Sequence, residues 1–176
     1  MSESYYKQKI YLAEVDKEDK ILGKVERWLA HERGTLHRGF TVILSYQNQI
    51  VLQHRKHVAF DGIWDMTFSS HSFYQGDNLT SDLEAITLSL GREWNVGLND
   101  LVGEPILKGK VYYQAKDPKS IFTEHEIDYI HTAELKKLPN PNLDYAYGFE
   151  LIDFDQVKRF NLAPWVQKIY DTKIKF

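Results

Sequence analysis

Strict alternation of apolar and polar positions gives way, stretch by stretch, to helical spacing along this chain. Residues 10–15 and 21–25 flank the polar turn Asp16-Lys17-Glu18-Asp19 and predict a short hairpin. A helical turn is expected over residues 26–32. The run Phe40-Thr41-Val42-Ile43-Leu44-Ser45-Tyr46, the turn Gln47-Asn48-Gln49 and the run Ile50-Val51-Leu52-Gln53 predict a second hairpin, apolar enough for a sheet centre. Residues 80–95 lack Pro and place Leu83, Ile86, Leu90 and Trp94 near one face, with Ser81 or Asp82 as cap; this spacing predicts a helix. After Pro105, residues 106–114 predict a strand, Asp117-Pro118-Lys119 a turn, and residues 122–132 another strand. Residues 138–145 form a Pro/Asn loop, Asp153 caps an expected helix through Phe160, and Pro164 opens a last helix over residues 165–173.

Composition narrows the class. The 176 residues suffice for one sizeable core, so a single domain over residues 1–176 is expected. Lys and Arg number 22 against 25 Asp and Glu, a formal charge of -3, so no nucleic-acid partner is expected and an anionic ligand must be met by local cations. Cysteine is absent, which excludes disulfides and thiolate ligands. No stretch approaches the roughly 20 apolar residues of a membrane span, and no signal-like run opens the chain; a cytoplasmic location without membrane contact is expected. Oligomeric state is left open.

Candidate chemistry gathers in two places. Glu124 and Glu126 stand two apart in a strand-like segment, so both carboxylates leave one face with roots roughly 7 Å apart, and Asp128 continues the row. Such a row is unfavourable without a cation, although an exposed acidic strand face is the plain alternative. His31 and His37 bracket a short segment containing Gly34, and His71 precedes the helix. Three His with two Glu make a mixed nitrogen and oxygen donor set suited to zinc, manganese or a related divalent ion and poor for calcium. Spacing alone leaves the site open, because seven His are present.

The segments Leu36-His37-Arg38-Gly39-Phe40, Gly62-Ile63-Trp64, Ser69-Ser70-His71, the helix over residues 84–98, Glu124-His125-Glu126 and Ala163-Pro164-Trp165 together resemble, in order and spacing, the type I isopentenyl-diphosphate isomerases of the Nudix superfamily. The resemblance runs from about residue 10 to 168. It implies an α+β Nudix fold, a mixed sheet sandwiched between helices. It also implies a divalent ion (Mn or Zn) held by His31, His37, His71, Glu124 and Glu126, and a Mg²⁺ bound with the substrate diphosphate through Glu93. The partner implied is a small-molecule diphosphate, and the reaction is interconversion of isopentenyl and dimethylallyl diphosphate through a tertiary cation. In that scheme Glu126 is the acid/base group, Tyr113 its hydrogen-bonded partner, and Trp165 presents its ring face to the cation. Arg27 and Arg55, with Lys56 or His57, resemble the diphosphate clamp.

Two departures qualify the resemblance. Ser69 occupies the family's catalytic cysteine position, and an aliphatic hydroxyl is far less acidic than a thiol of pKa about 8.5, so isomerase activity is expected to be weak. The helix keeps Glu84 and Arg92-Glu93 of the Nudix hydrolase pattern but has Asn95-Val96-Gly97 where paired glutamates belong. Glu84 and Glu93 lie about 180° apart around the helix and cannot share an ion. An isomerase homologue is the first reading, a Nudix pyrophosphohydrolase on a nucleoside or prenyl diphosphate the second, and a non-catalytic metal- or ligand-binding relative the third.

Overall fold

The structure, a computed structural model, describes residues 2–172. A short helix α1 (Ser2–Lys7) precedes the first hairpin, β1 (Tyr11–Val15) with β2 (Ile21–Glu26). Helix α2 (Arg27–Arg33) starts with the Glu26 side chain accepting from the Leu29 N–H at 3.0 Å. It ends at Gly34, φ 63°, a left-handed conformation that glycine adopts without strain. That stop turns the chain at once into β3 (His37–Tyr46), which joins β4 (Gln49–Arg55) through Gln47 and Asn48, both at positive φ as a tight hairpin requires.

Short strands β5 (Trp64–Met66), β6 (Phe68–Ser70), β7 (Tyr74–Gln75) and β8 (Asn78–Leu79) lead to α3 (Asp82–Trp94). The long strands β9 (Ile106–Lys116) and β10 (Thr123–Glu134) follow, then β11 (Ala146–Ile152) and α4 (Pro164–Asp171). Nine strands form one sheet, and β7 with β8 a separate pair. Strand β3 is the hub. Along one edge it runs parallel to β10, Glu126 opposite His37 and Asp128 opposite Gly39; its other partners, β1, β6 and β4, are antiparallel. The sheet is therefore mixed, as expected.

Alternation on the pleat divides the core. Phe40, Val42 and Leu44 meet Ile86, Leu90 and Trp94 of α3 on one face. Ile43, Leu52, Tyr113 and Ile130 meet Trp165, Val166 and Ile169 of α4 on the other. Helices thus cover both faces. Leu83 departs from expectation: it is 36% exposed, because angular position fixes which face of α3 a residue occupies and not how far the sheet extends beneath it. The expected helix after Asp153 is a 3-10 helix, Phe154–Arg159, and the Asp153 side chain makes no capping bond. The last helix begins at Pro164 as expected, while Lys173 lies outside the described residues. Among the described residues no helix is long and apolar enough to cross a membrane.

Candidate active site

Strand register builds the centre. Tyr113 on β9, Glu126 on β10 and His37 on β3 stand in one row across adjacent strands, and their side chains share the α4 face. His31 arrives from α2 and His71 from the segment after β6. One donor atom from each of His31, His37, His71 and Glu124 lies within 4.8 Å of the others. Glu126 adjoins this group: its Oε1 is 2.8 Å from His71 Nε2 and 3.4 Å from His37 Nε2. All five proposed ligands are therefore neighbours, with four forming the tighter set.

The donor chemistry fits a divalent ion. His31 Nδ1 lies 2.6 Å from the Arg27 carbonyl and His37 Nδ1 2.8 Å from that of Thr35, so both rings donate there and turn Nε2, the atom an ion would bind, inward. His37 Nε2 then faces His71 Nε2 at 3.3 Å. Glu124 Oε2 is buried 3.1 Å from His31 Nε2 yet has no well-aligned hydrogen bond. Burial opposes charge on His31, but the Glu124 carboxylate prevails and pushes its pKa up to about 9. Burial likewise opposes ionisation of Glu126, and hydrogen bonds from His37 and His71 overcome it, holding the carboxyl well below its usual range. Inward-facing imidazoles against ionised buried carboxylates satisfy a cation better than one another.

Around this centre, Tyr113 donates its hydroxyl to Glu126 Oε2. Burial, reinforced by the Glu126 charge, pushes the phenol well up, so Tyr113 keeps its proton. Ser69 Oγ lies 2.9 Å from Thr41 Oγ1, which lies 2.8 Å from Asp128 Oδ2, and Ser69 also reaches Asp65 Oδ2 at 3.1 Å. Thr41 donates to Asp128, whose carboxyl burial and the Glu126 charge push well above the usual range. Trp165 donates its indole N–H to Asp65 Oδ1 at 2.8 Å and packs 5.7 Å from the Tyr113 ring.

A cavity joins these groups to a cationic end. Its wall includes Ser69, Tyr113, Glu126 and Trp165, and also Arg27, Arg55, Arg92 and Glu93. Several of the latter have buried polar atoms without partners: Arg27 Nε and Nη1, Arg55 Nε, Arg92 Nε and Glu93 Oε2. Unmet guanidinium N–H groups beside an unmet carboxylate oxygen suit a phosphate with its own cation. Lys56 lies elsewhere. It follows β4 with its amine on the Leu143 carbonyl at 3.0 Å on the exposed side, because alternation past Arg55 turns residue 56 outward and His57 inward.

Sequence reasoning did not select Tyr5, Tyr6, Asp65 or Arg92 as site residues. Tyr5 and Tyr6 of α1 line the cavity, with Arg92 over the Tyr5 ring at 4.0 Å and the Tyr6 hydroxyl 3.1 Å from His57 Nδ1. Adjacent tyrosines near a chain end carry no periodic signal. Arg92 had one, its place beside Glu93.

Solved structures share this architecture. A crystal structure of a Deinococcus radiodurans protein matches with a TM-score of 0.67, covering 93% of this chain and 99% of that one at 15% identity. A MutT Nudix hydrolase from Burkholderia pseudomallei matches at 0.58, covering 79% of this chain and 98% of its own at 13% identity. The protein is thus of the Nudix fold, and at these identities the likeness speaks for fold alone. Protein-family models give no match. In sequence, isopentenyl-diphosphate Delta-isomerase 1 of Bos taurus is 30% identical over 181 residues, 90% of this chain and 79% of the bovine protein. The chain belongs to the isopentenyl-diphosphate Delta-isomerase family.

Proposed function

We propose that the protein interconverts isopentenyl and dimethylallyl diphosphate at this cavity, slowly for its family because Ser69 replaces a thiol. One observation carries the reading: a single cavity has at one end three arginines, each keeping at least one buried N–H without a partner, with Glu93 beside them, and Glu126, Tyr113, Ser69 and Trp165 at the other. The first end suits a diphosphate, and Glu93 would hold a Mg²⁺ bound with it. The second suits a small apolar group that passes through a positive charge.

His31, His37, His71, Glu124 and Glu126 would hold a divalent ion, whose positive charge would keep the Glu126 carboxyl ionised and oriented. Glu126 takes a proton from water and passes it to one carbon, and Tyr113 fixes which carboxylate oxygen faces it. Ser69 borders the cavity and would take the proton leaving another carbon as its own hydroxyl proton passes to Asp65 Oδ2, 3.1 Å away. Trp165 and Tyr113 pack beside the cation, and the indole face stabilises it by about 1–2 kcal/mol once water is excluded. Arg27, Arg55 and Arg92 orient the phosphates.

The hydrolase reading has less support, since Glu84 is solvent-exposed at 3.5 Å from Gln75 and Glu93 is the buried carboxylate that α3 supplies. Purified protein with Mn²⁺ or Zn²⁺ and Mg²⁺ should convert isopentenyl diphosphate, and Ser69→Cys should accelerate conversion by about two orders of magnitude. No conversion by either form refutes the isomerase; phosphate release lost in Glu93→Gln would install the hydrolase; bound prenyl diphosphate without turnover would leave a binding protein.

A further inference from the structure

We propose that Asp65 is the positioning residue of this site: from behind the cavity wall, one carboxylate sets both the phosphate-binding end and the reacting end. The inference rests on the isomerase reading only for the chemistry at the second end.

Asp65 is fully buried, at 0% exposure, and is not part of the cavity lining. Three lining residues from three different elements converge on it. Arg55 of β4 donates Nη1–H to Oδ2 at 2.6 Å. Trp165 of α4 donates its indole N–H to Oδ1 at 2.8 Å, and the Ser69 hydroxyl of β6 lies 3.1 Å from Oδ2 and 3.3 Å from Oδ1. Arg55 also sits over the Trp165 ring at 5.1 Å, so cation and indole are held against each other by the same acceptor.

The backbone is bent to make this possible. Four residues of straight strand would separate positions 65 and 69 by about 13 Å. Instead Thr67 adopts φ 61°, its N–H closes on the Asp65 carbonyl at 3.0 Å, and the chain passes from pairing with β4 to pairing with β3. A left-handed β-branched residue is unfavourable. It is pinned by its own hydroxyl, which donates to the Val51 carbonyl at 2.7 Å and accepts from the Leu44 N–H at 2.9 Å. Three donors need more than one acceptor oxygen, and buried Arg55 needs a countercharge; aspartate supplies both, whereas asparagine has one oxygen and no charge.

The test compares wild type, Asp65→Asn, Ser69→Ala and the double variant. Pyrophosphate affinity is read by calorimetry, kcat and KM with isopentenyl diphosphate and Mg²⁺, and the Trp165 indole resonance by ¹⁵N-tryptophan labelling, assigned with Trp165→Phe. Asp65→Asn should lower kcat about a hundredfold through misplacement and weaken pyrophosphate about tenfold through Arg55. In the Ser69→Ala background the kcat effect should shrink to a few fold while the pyrophosphate loss persists. Equal kcat factors in both backgrounds, or unchanged affinity, overturn the proposal. If wild type does not isomerise, the isomerase reading has failed, and Asp65 is judged on affinity and the indole shift, which must both change. Should Asp65→Asn not fold, Asp65→Glu keeps the charge and displaces it: pyrophosphate affinity should hold and the indole resonance move, and an unmoved resonance overturns the proposal.

Discussion

Gly39 explains why a glycine follows His37 and Arg38, and it gives the sharpest test of how Glu126 is held. Its backbone is not in the left-handed region, so alanine is conformationally acceptable there. The obstacle is space. An added Cβ would stand 2.6 Å from Glu126 Cδ and 2.8 Å from Oε2, with Oε1 nearer still. Ordinary contact requires about 3.5 Å, so the carboxylate must withdraw by about 1 Å. It is tethered by Tyr113, by His71 at 2.8 Å and by His37 at 3.4 Å, and withdrawal in any direction stretches at least one of these. Overpacking costs about 1–3 kcal/mol, and a lost bond to a buried charge about 1.5–3 kcal/mol. Gly39→Ala should therefore destabilise the metal-free protein by about 4 kcal/mol in urea unfolding, the two mid-range values together. In a Glu126→Ala background the methyl has room, and the cost should fall below about 1 kcal/mol, a coupling that a double-mutant cycle isolates. A harmless Gly39→Ala in wild type, or the same cost in both backgrounds, would show that Glu126 is not fixed where the register places it.

In metal-free protein, His31 has a folded pKa near 9 against an ordinary 6.5. Its contribution is full below pH 6.5 and lost as pH rises through 9, so thermal stability should decline over that window, by at most about 3 kcal/mol. His31→Gln should lack that decline, and its persistence would refute the His31–Glu124 assignment. On α3, Leu90→Ala should cost about 2–5 kcal/mol, since Leu90 is completely buried, whereas Leu83→Ala, on the same face, should cost under about 1 kcal/mol in the same denaturation assay. Arg92→Ala should weaken pyrophosphate binding about tenfold in calorimetry, and Lys56→Ala should leave it unchanged; the reverse ranking would contradict the inward and outward alternation past β4.

How much of the site could be read in advance follows from how local its determinants are. Glu124 and Glu126 share a face because a strand alternates with period two, and the five residues between His31 and His37 are few enough for one glycine turn to return the second His beside the first. The hairpins, α3 and the β9–β10 pair follow from period and turn chemistry alone. Strand β11 was unforeseen because its alternation, Ala146 to Ile152, is interrupted by Gly148 and only two of its residues are buried. The Asp65 cluster was illegible for a different reason. Residues 65 and 69 fall on the same side of any regular strand but too far apart to touch, and Thr67 is among the residues least expected to turn left-handed. What holds it there, two hydrogen bonds to β3 and β4, exists only after the sheet has assembled. The candidate metal centre is thus written largely in local spacing. The group that aims Ser69, Trp165 and Arg55 is a product of tertiary structure, and a substitution at Ser69 cannot be judged from sequence without knowing that Asp65 stands behind it.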